Sequence, residues 1–140
     1  MNYQRLYEYR FAKVDQTKRL GVWKEISTFI FNLMGKPQVI LDPAAGRCEF
    51  ISSIDAKEKW VVDCTEYAKA YLPTGAKFIL GDIRTLQFPS NHFDGVFVSN
   101  FLEHLGSQEE IASFLEKMFL AVKPGGKIAI MGPNFRYCFK

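Results

Sequence analysis

One stretch of this 140-residue chain constrains the fold more than any other: Val39-Ile40-Leu41-Asp42-Pro43-Ala44-Ala45-Gly46-Arg47-Cys48-Glu49-Phe50. An apolar run ends in an acid, a turn of small residues follows, and a helix start comes next. This is the pattern of a buried parallel strand that delivers backbone to a ligand. Ala44, Ala45 and Gly46 carry little or no side chain, so a ligand can approach the main chain closely. The turn leads into a helix N-terminus, whose free N–H groups suit an anionic ligand group.

The rest of the chain repeats the alternation. Lys18 to Met34 reads as an amphipathic helix, with Trp23, Ile26, Ile30 and Leu33 on one face and Val22 and Phe29 beside them. Gly35 and Pro37 end it. Strands are expected at Gln38–Asp42, Trp60–Asp63, Lys77–Leu80, Gly95–Ser99 and Lys127–Met131. Between them fall a short helix at Glu49–Ile54, a helical turn at Tyr67–Tyr71 and a helix to Val122. Ser107 caps that last helix, with Glu110 placed as in a capping box. Pro124-Gly125-Gly126 reads as a tight turn. Short apolar strands alternating with helices predict an α/β fold, a doubly wound, Rossmann-like parallel sheet in three α/β/α layers. Its ligand crevice lies at the carboxyl ends of the strands.

Composition sets the outer bounds. Apolar residues make up 48% and charged residues 24%, enough for one globular core. No run approaches the roughly 18 apolar residues of a membrane span, and the polar start is not a signal peptide. Cys48, Cys64 and Cys138 are far apart, with no CxxC or Cys/His cluster. Neither a disulfide framework nor a zinc site is suggested, and a cytoplasmic location is the expectation. Residues 1–36 hold seven Lys/Arg against three acids, whereas the remainder holds 11 against 12. That basic segment reads as a solvated helix face, with an anionic substrate as the alternative. Nothing argues for nucleic acid as the main partner.

Three of the first four strand ends carry an acid: Asp42, Asp63 and the Asp82 of Gly81-Asp82. The fourth ends at Ser99-Asn100. Asp63 lies 21 residues after Asp42, near the spacing at which a strand-two acid takes ribose hydroxyls. A carboxylate suits two vicinal hydroxyls because it only accepts. Any one of these acids could instead cap a turn, a reading that weakens for the set.

In this order the motifs resemble a class I S-adenosylmethionine-dependent methyltransferase, across about residues 38–135. Asp42-Pro43-Ala44-Ala45-Gly46-Arg47-Cys48 is similar to that family's first motif, and Val61-Val62-Asp63 to its strand-two acid. Gly81-Asp82-Ile83-Arg84-Thr85-Leu86 resembles the adenine-side motif. Phe93 to Leu105 resembles the strand-four segment of the branch with small-molecule and sugar acceptors, and Val122-Lys123-Pro124-Gly125-Gly126-Lys127 the turn before strand five. The resemblance implies strand order 3-2-1-4-5 and S-adenosyl-L-methionine as cofactor, with S-adenosyl-L-homocysteine as product. It implies that Asp42 contacts the methionine amine through water and that Ala44 and Gly46 approach the methionine part. Asp63 would bind the ribose, Asp82 would accept from the adenine amino group, and Ile83 would pack on or near the ring. Ser99 and Asn100 would line the methyl-transfer site.

Two positions depart from the family: Ala44 replaces its first glycine and Cys48 its third. Cys48 is read as a small buried filler rather than a redox group. His104 and Asn100 are the candidate catalytic pair. His104 has a pKa suited to general base work, although it and Glu103 also fit a plain pocket wall. Metal-using relatives carry Glu-x-x-Glu-His; Asn100 stands at the first Glu, so no metal is expected.

Residues 1–36 are expected to form a cap segment and residues 37–140 the cofactor-binding core. Tyr3, Tyr7, Tyr9, Arg10 and Phe11 would close over the pocket. The family continues past strand five, so a chain cut short after that strand is expected, with an apolar edge at Ile128–Met131. A missing C-terminal segment, a second copy or another partner would cover that edge. Asn134-Phe135-Arg136-Tyr137 resembles methyltransferases of polysaccharide gene clusters, implying a small-molecule or glycan-precursor acceptor. The rival readings are a non-catalytic cofactor-binding or protein-interaction domain and an NAD-dependent oxidoreductase. The latter lacks its Gly-x-Gly-x-x-Gly.

Overall fold

The computed structural model describes residues 5, 9, 12–134 and 136. The expected N-terminal closing segment lies outside the described residues except for Tyr9, which is exposed. The aromatic stretch after Asn134 lies outside them except for Arg136.

Helix α1 spans Gln16–Leu33 and starts two residues before the expected Lys18. Asp15 is its N-cap: the carboxylate Oδ1 accepts from the N–H groups of Thr17 (3.0 Å) and Lys18 (3.1 Å). Its buried face differs from the expected one. Ser27 and Phe31 are buried, Met34 follows just past the end, and Trp23 and Ile30 flank them. Leu33 is 62% exposed, and Val22 and Phe29 also face solvent. Two overlapping apolar stripes run along this helix, and periodicity cannot choose between them. The small Ser27 is fully buried, while Phe31 and Met34 fill the core.

Strands β1 (Val39–Asp42), β2 (Glu58–Asp63), β3 (Lys77–Leu80), β4 (Phe93–Ser99) and β5 (Val122–Met131) form one sheet in the order β3-β2-β1-β4-β5. Every adjacent pair is parallel. Alternate residues feed two cores. Ile40, Val61 and Phe97 pack under α1, α2 (Glu49–Ser52) and the 3-10 helix Glu66–Tyr71. Leu41, Val62, Val96 and Val98 pack under α3 (Gln108–Ala121). Both faces are thus covered, as continuous apolar strands require.

Two expectations need correction. The Glu49–Ile54 helix is a single turn, Glu49–Ser52. The Pro124–Gly126 turn does not precede β5; it is an irregularity within it. Phe93 pairs with Val122 and Gly95 with Lys127, so β5 loops out three extra residues there. Gly125 takes φ +81° at that point. A Cβ on Gly126 would strike Val122 and come within 2.8 Å of the Asp94 carbonyl oxygen, so only glycine fits. Ser107 caps α3 as expected. Its Oγ accepts from Glu110 N–H (3.2 Å), while Glu110 Oε2 accepts from Gly106 N–H (2.9 Å).

Candidate functional site

Parallel pairing brings the carboxyl ends of β1 to β4 to one edge of the sheet. Asp42 pairs in register with Val61, so Asp63 stands two residues further out. Asp82 follows β3 by two residues, and Ser99 closes β4.

Asp42 is 3% exposed, and its Oδ1 has no hydrogen-bond partner among the described residues. Burial pushes its pKa up from 3.8 to about 7; an N–H from Ala44 opposes this, while Asp63 and Glu49 add to it. A buried acceptor left open is costly unless a ligand group completes it.

Asp63 is better satisfied. Its Oδ2 accepts from Gly46 N–H (3.1 Å), and its Oδ1 accepts from the Thr65 N–H and Oγ1 (both 2.9 Å). The carboxylate therefore ties the first-motif loop to the end of β2. Gly46 adopts φ +54°, and a Cβ there would meet nothing within 4 Å. The need for glycine is conformational, and the space beside it is open to a ligand.

Cys48 is fully buried and also left-handed, with φ 56°. This backbone explains why a glycine suits the position. Its Sγ lies 3.6 Å from the carbonyl oxygen of Ala68, pinning the loop to the 3-10 helix. Burial, with the nearby Asp42 carboxylate, pushes the thiol up to about 12, so it is an inert filler.

Asp82 is held by Arg84, which the sequence reading did not single out. Arg84 Nε lies 3.0 Å from both carboxylate oxygens, Nη2 is 2.6 Å from Oδ2, and the Arg84 N–H donates to Oδ1 at 2.9 Å. These bonds hold the Asp82 pKa below the usual carboxylate range. Ile83 is 4% exposed and belongs to the core under α3. Cys64, also not singled out, is exposed as a residue, and partial burial of its thiol, with Asp63 beside it, pushes its pKa up.

Asn100 takes φ 48°, donates its N–H to Met131 O (2.8 Å), and donates from Nδ2 to Ser99 Oγ (3.1 Å). His104 is exposed on the 3-10 turn Leu102–His104. The structure thus gathers Asp42, Gly46 and Asp63 tightly around one loop and places Asp82 on the neighbouring one. His104 stands on a separate surface turn. Two open grooves, of about 550 and 370 Å3, lie along the Lys123–Gly126 segment at the other end of β4 and β5. They bring together no comparable set of acids.

The order β3-β2-β1-β4-β5, with acids at the ends of β1 and β2 flanking a small-residue loop, defines the doubly wound class of nucleotide-cofactor folds. Within that class the chain belongs to the methyltransferase domain family, matched over residues 37–130. Solved structures of similar fold include a protein from Pyrococcus horikoshii (23% identity, TM-score 0.75, covering 98% of this chain and 64% of that one). Another is an S-adenosylmethionine-dependent methyltransferase from Archaeoglobus fulgidus (23% identity, TM-score 0.72, covering 96% and 60%). A third is an S-adenosylmethionine-bound amino pentose methyltransferase of calicheamicin biosynthesis from Micromonospora echinaspora (20% identity, TM-score 0.71, covering 96% and 59%). The chain therefore spans less than two thirds of each of these relatives. No curated protein sequence matches it. No helix among the described residues is long and apolar enough to cross a membrane.

Proposed function

We propose that this chain is the cofactor-binding core of an S-adenosylmethionine-dependent methyltransferase acting on a small-molecule or glycan-precursor acceptor. One observation carries the reading: a buried Asp42 with an open Oδ1 lies at the base of a glycine turn whose outer side is empty space. That site fits the cofactor's amino acid end, whose ammonium supplies the missing donor through water and whose cation favours the ionised carboxylate. When bound, the cofactor would supply an electrophilic sulfonium methyl group for in-line displacement by an acceptor lone pair, leaving as S-adenosylhomocysteine.

The residues of this chain then bind and orient. Ala44 and Gly46 let the methionine part lie against backbone. Asp63 binds the ribose, accepting from a hydroxyl on the Oδ2 position that Gly46 and Thr65 leave. Asp82 accepts from the adenine amino group, with Ile83 forming part of the floor. Ser99 and Asn100 line the path of transfer, where the Asn100 backbone, left-handed and tied to β5, fixes its place. His104 acts as general base only for a hydroxyl acceptor, and only if the acceptor brings its turn over the cleft. The likeness in fold to an amino pentose methyltransferase supports the sugar-type acceptor.

Calorimetry tests this directly. The chain is expected to bind S-adenosylmethionine and S-adenosylhomocysteine and not NAD. Binding of NAD alone would overturn the reading, and binding of none of the three would favour an interaction domain.

A further inference from the structure

The Asp82 loop is more tightly built than an adenine acceptor needs. Beyond the Arg84 fork, Lys117 reaches from α3 and its Nζ donates to the carbonyl oxygens of Ile83 (3.0 Å) and Arg84 (2.6 Å). The N–H groups of Thr85 (3.0 Å) and Leu86 (3.1 Å) and the hydroxyl of Thr85 (3.1 Å) all donate to the Asp82 carbonyl. The carboxylate is thus fixed in place from its own backbone outward.

Its acceptor capacity is largely used. An ionised carboxylate offers about four lone-pair positions. Oδ1 takes the Arg84 N–H and Nε–H; Oδ2 takes the Nη2–H and shares the Nε–H. One position remains, on Oδ2. Arg84 is about half exposed, so the pair adds little to stability; its consequence is orientation.

We propose that Arg84 is the specificity-determining residue of the cofactor's base: by forking onto Asp82 it leaves one acceptor position, suited to a purine bearing a 6-amino group and repelling a 6-oxo group. This rests on the cofactor reading above. A free carboxylic acid could protonate and donate to an oxo group, or swing aside. Held by the guanidinium and an N–H, Asp82 does neither, and an oxo oxygen would face an unpaired carboxylate lone pair.

The test compares the binding of S-adenosylhomocysteine with that of its 6-oxo counterpart, S-inosylhomocysteine, by calorimetry at neutral pH. The native chain is expected to prefer the amino form by about 100-fold or more, as for sites that reject a ligand lacking the matching group. Arg84→Gln is expected to weaken the amino form about tenfold and to narrow the preference to about tenfold, since the charged fork is lost. Arg84→Lys keeps the charge without the fork and should fall between the two. A thermal melt confirms that each variant is folded; should Arg84→Gln fail it, Arg84→Lys carries the comparison. If both ligands weaken equally, Arg84 merely supports the loop and the proposal is overturned, as it is if the preference stays unchanged. If the native chain binds neither ligand, the cofactor reading itself fails. A native chain that binds but does not discriminate overturns only the role of Arg84.

Discussion

Carboxylates stand at both ends of the parallel sheet, and the fold treats two of them, Asp94 and Asp42, in opposite ways. At the amino end, Asp94 is fully engaged. Its Oδ2 accepts from the N–H groups of Gln38 (3.1 Å) and Val39 (2.8 Å), and its Oδ1 accepts from Lys123 Nζ (2.7 Å). Glu58 there accepts from Trp60 Nε1 and stands 3.1 Å from His92 Nε2. Both carboxyls are held below their ordinary pKa, Asp94 chiefly by Lys123 and Glu58 chiefly by Trp60. At the carboxyl end, Asp42 is buried with one oxygen open and its pKa raised. One end uses its acids to close the structure. The other leaves an acid unsatisfied, which lowers stability and makes sense where a ligand completes the site.

The comparison is broken most directly by removing one acid at each end. Asp63→Ala is expected to weaken S-adenosylhomocysteine binding by about 100-fold in calorimetry, through loss of charged acceptors and of the Gly46 tether. Asp94→Ala should leave that affinity unchanged and cost about 2 kcal/mol of stability in urea unfolding, since two backbone donors and a lysine lose their partner. If Asp94→Ala impaired ligand binding while Asp63→Ala did not, the assignment of the two ends would be reversed.

Asp42 sharpens the contrast through pH. Its folded pKa of about 7 lies above the ordinary 3.8, so between these values the native state holds a proton that the unfolded chain has lost. Stability should therefore fall as pH rises through that window, whereas the Asp94 contribution is present above the ordinary value and lost as pH falls through its lowered folded value. Replacing Asp42 with Asn should remove the Asp42 slope, leaving the variant about 3 kcal/mol less sensitive than the native chain between pH 4.5 and 8. Urea midpoints across that range check it. Cofactor binding to the native chain at pH 6 should also release a proton, read from calorimetry in two buffers of different ionisation heat.

The smallest effect is expected at Cys48. Cys48→Gly relieves a left-handed backbone but empties a packed position, so stability should change by less than about 1 kcal/mol. Cys48→Ala keeps the backbone strain and loses the sulfur, and should be the less stable of the two by chemical denaturation.

The strand ends were legible in sequence because a parallel strand buried on both faces must be a short apolar run, and an acid closing such a run stands out. Asp42, Asp63 and Asp82 were found that way. The buried face of α1 was not legible, because Val22, Phe29 and Leu33 form as regular a stripe as Trp23, Ser27, Ile30 and Met34. Arg84 gave no signal either: one arginine in a loop looks like any solvated charge until the turn folds it back onto Asp82. The Pro124–Gly126 segment read as a turn because its residues favour one, and its place inside β5 depends on pairing with β4.

The sequence by itself determined the alternation of strands and helices, the parallel sheet and the edge at which acids gather, since these follow from local pattern and from the handedness of crossovers. Only the tertiary structure decided which acids are satisfied. The opposite pKa shifts of Asp42 and Asp94 arise from their surroundings: Lys123 and the start of β1 around Asp94, and burial with no donor to one oxygen among the described residues for Asp42. Hydrogen bonding and burial are properties of the packed molecule, and they separate an acid that holds the fold together from one buried with an oxygen open.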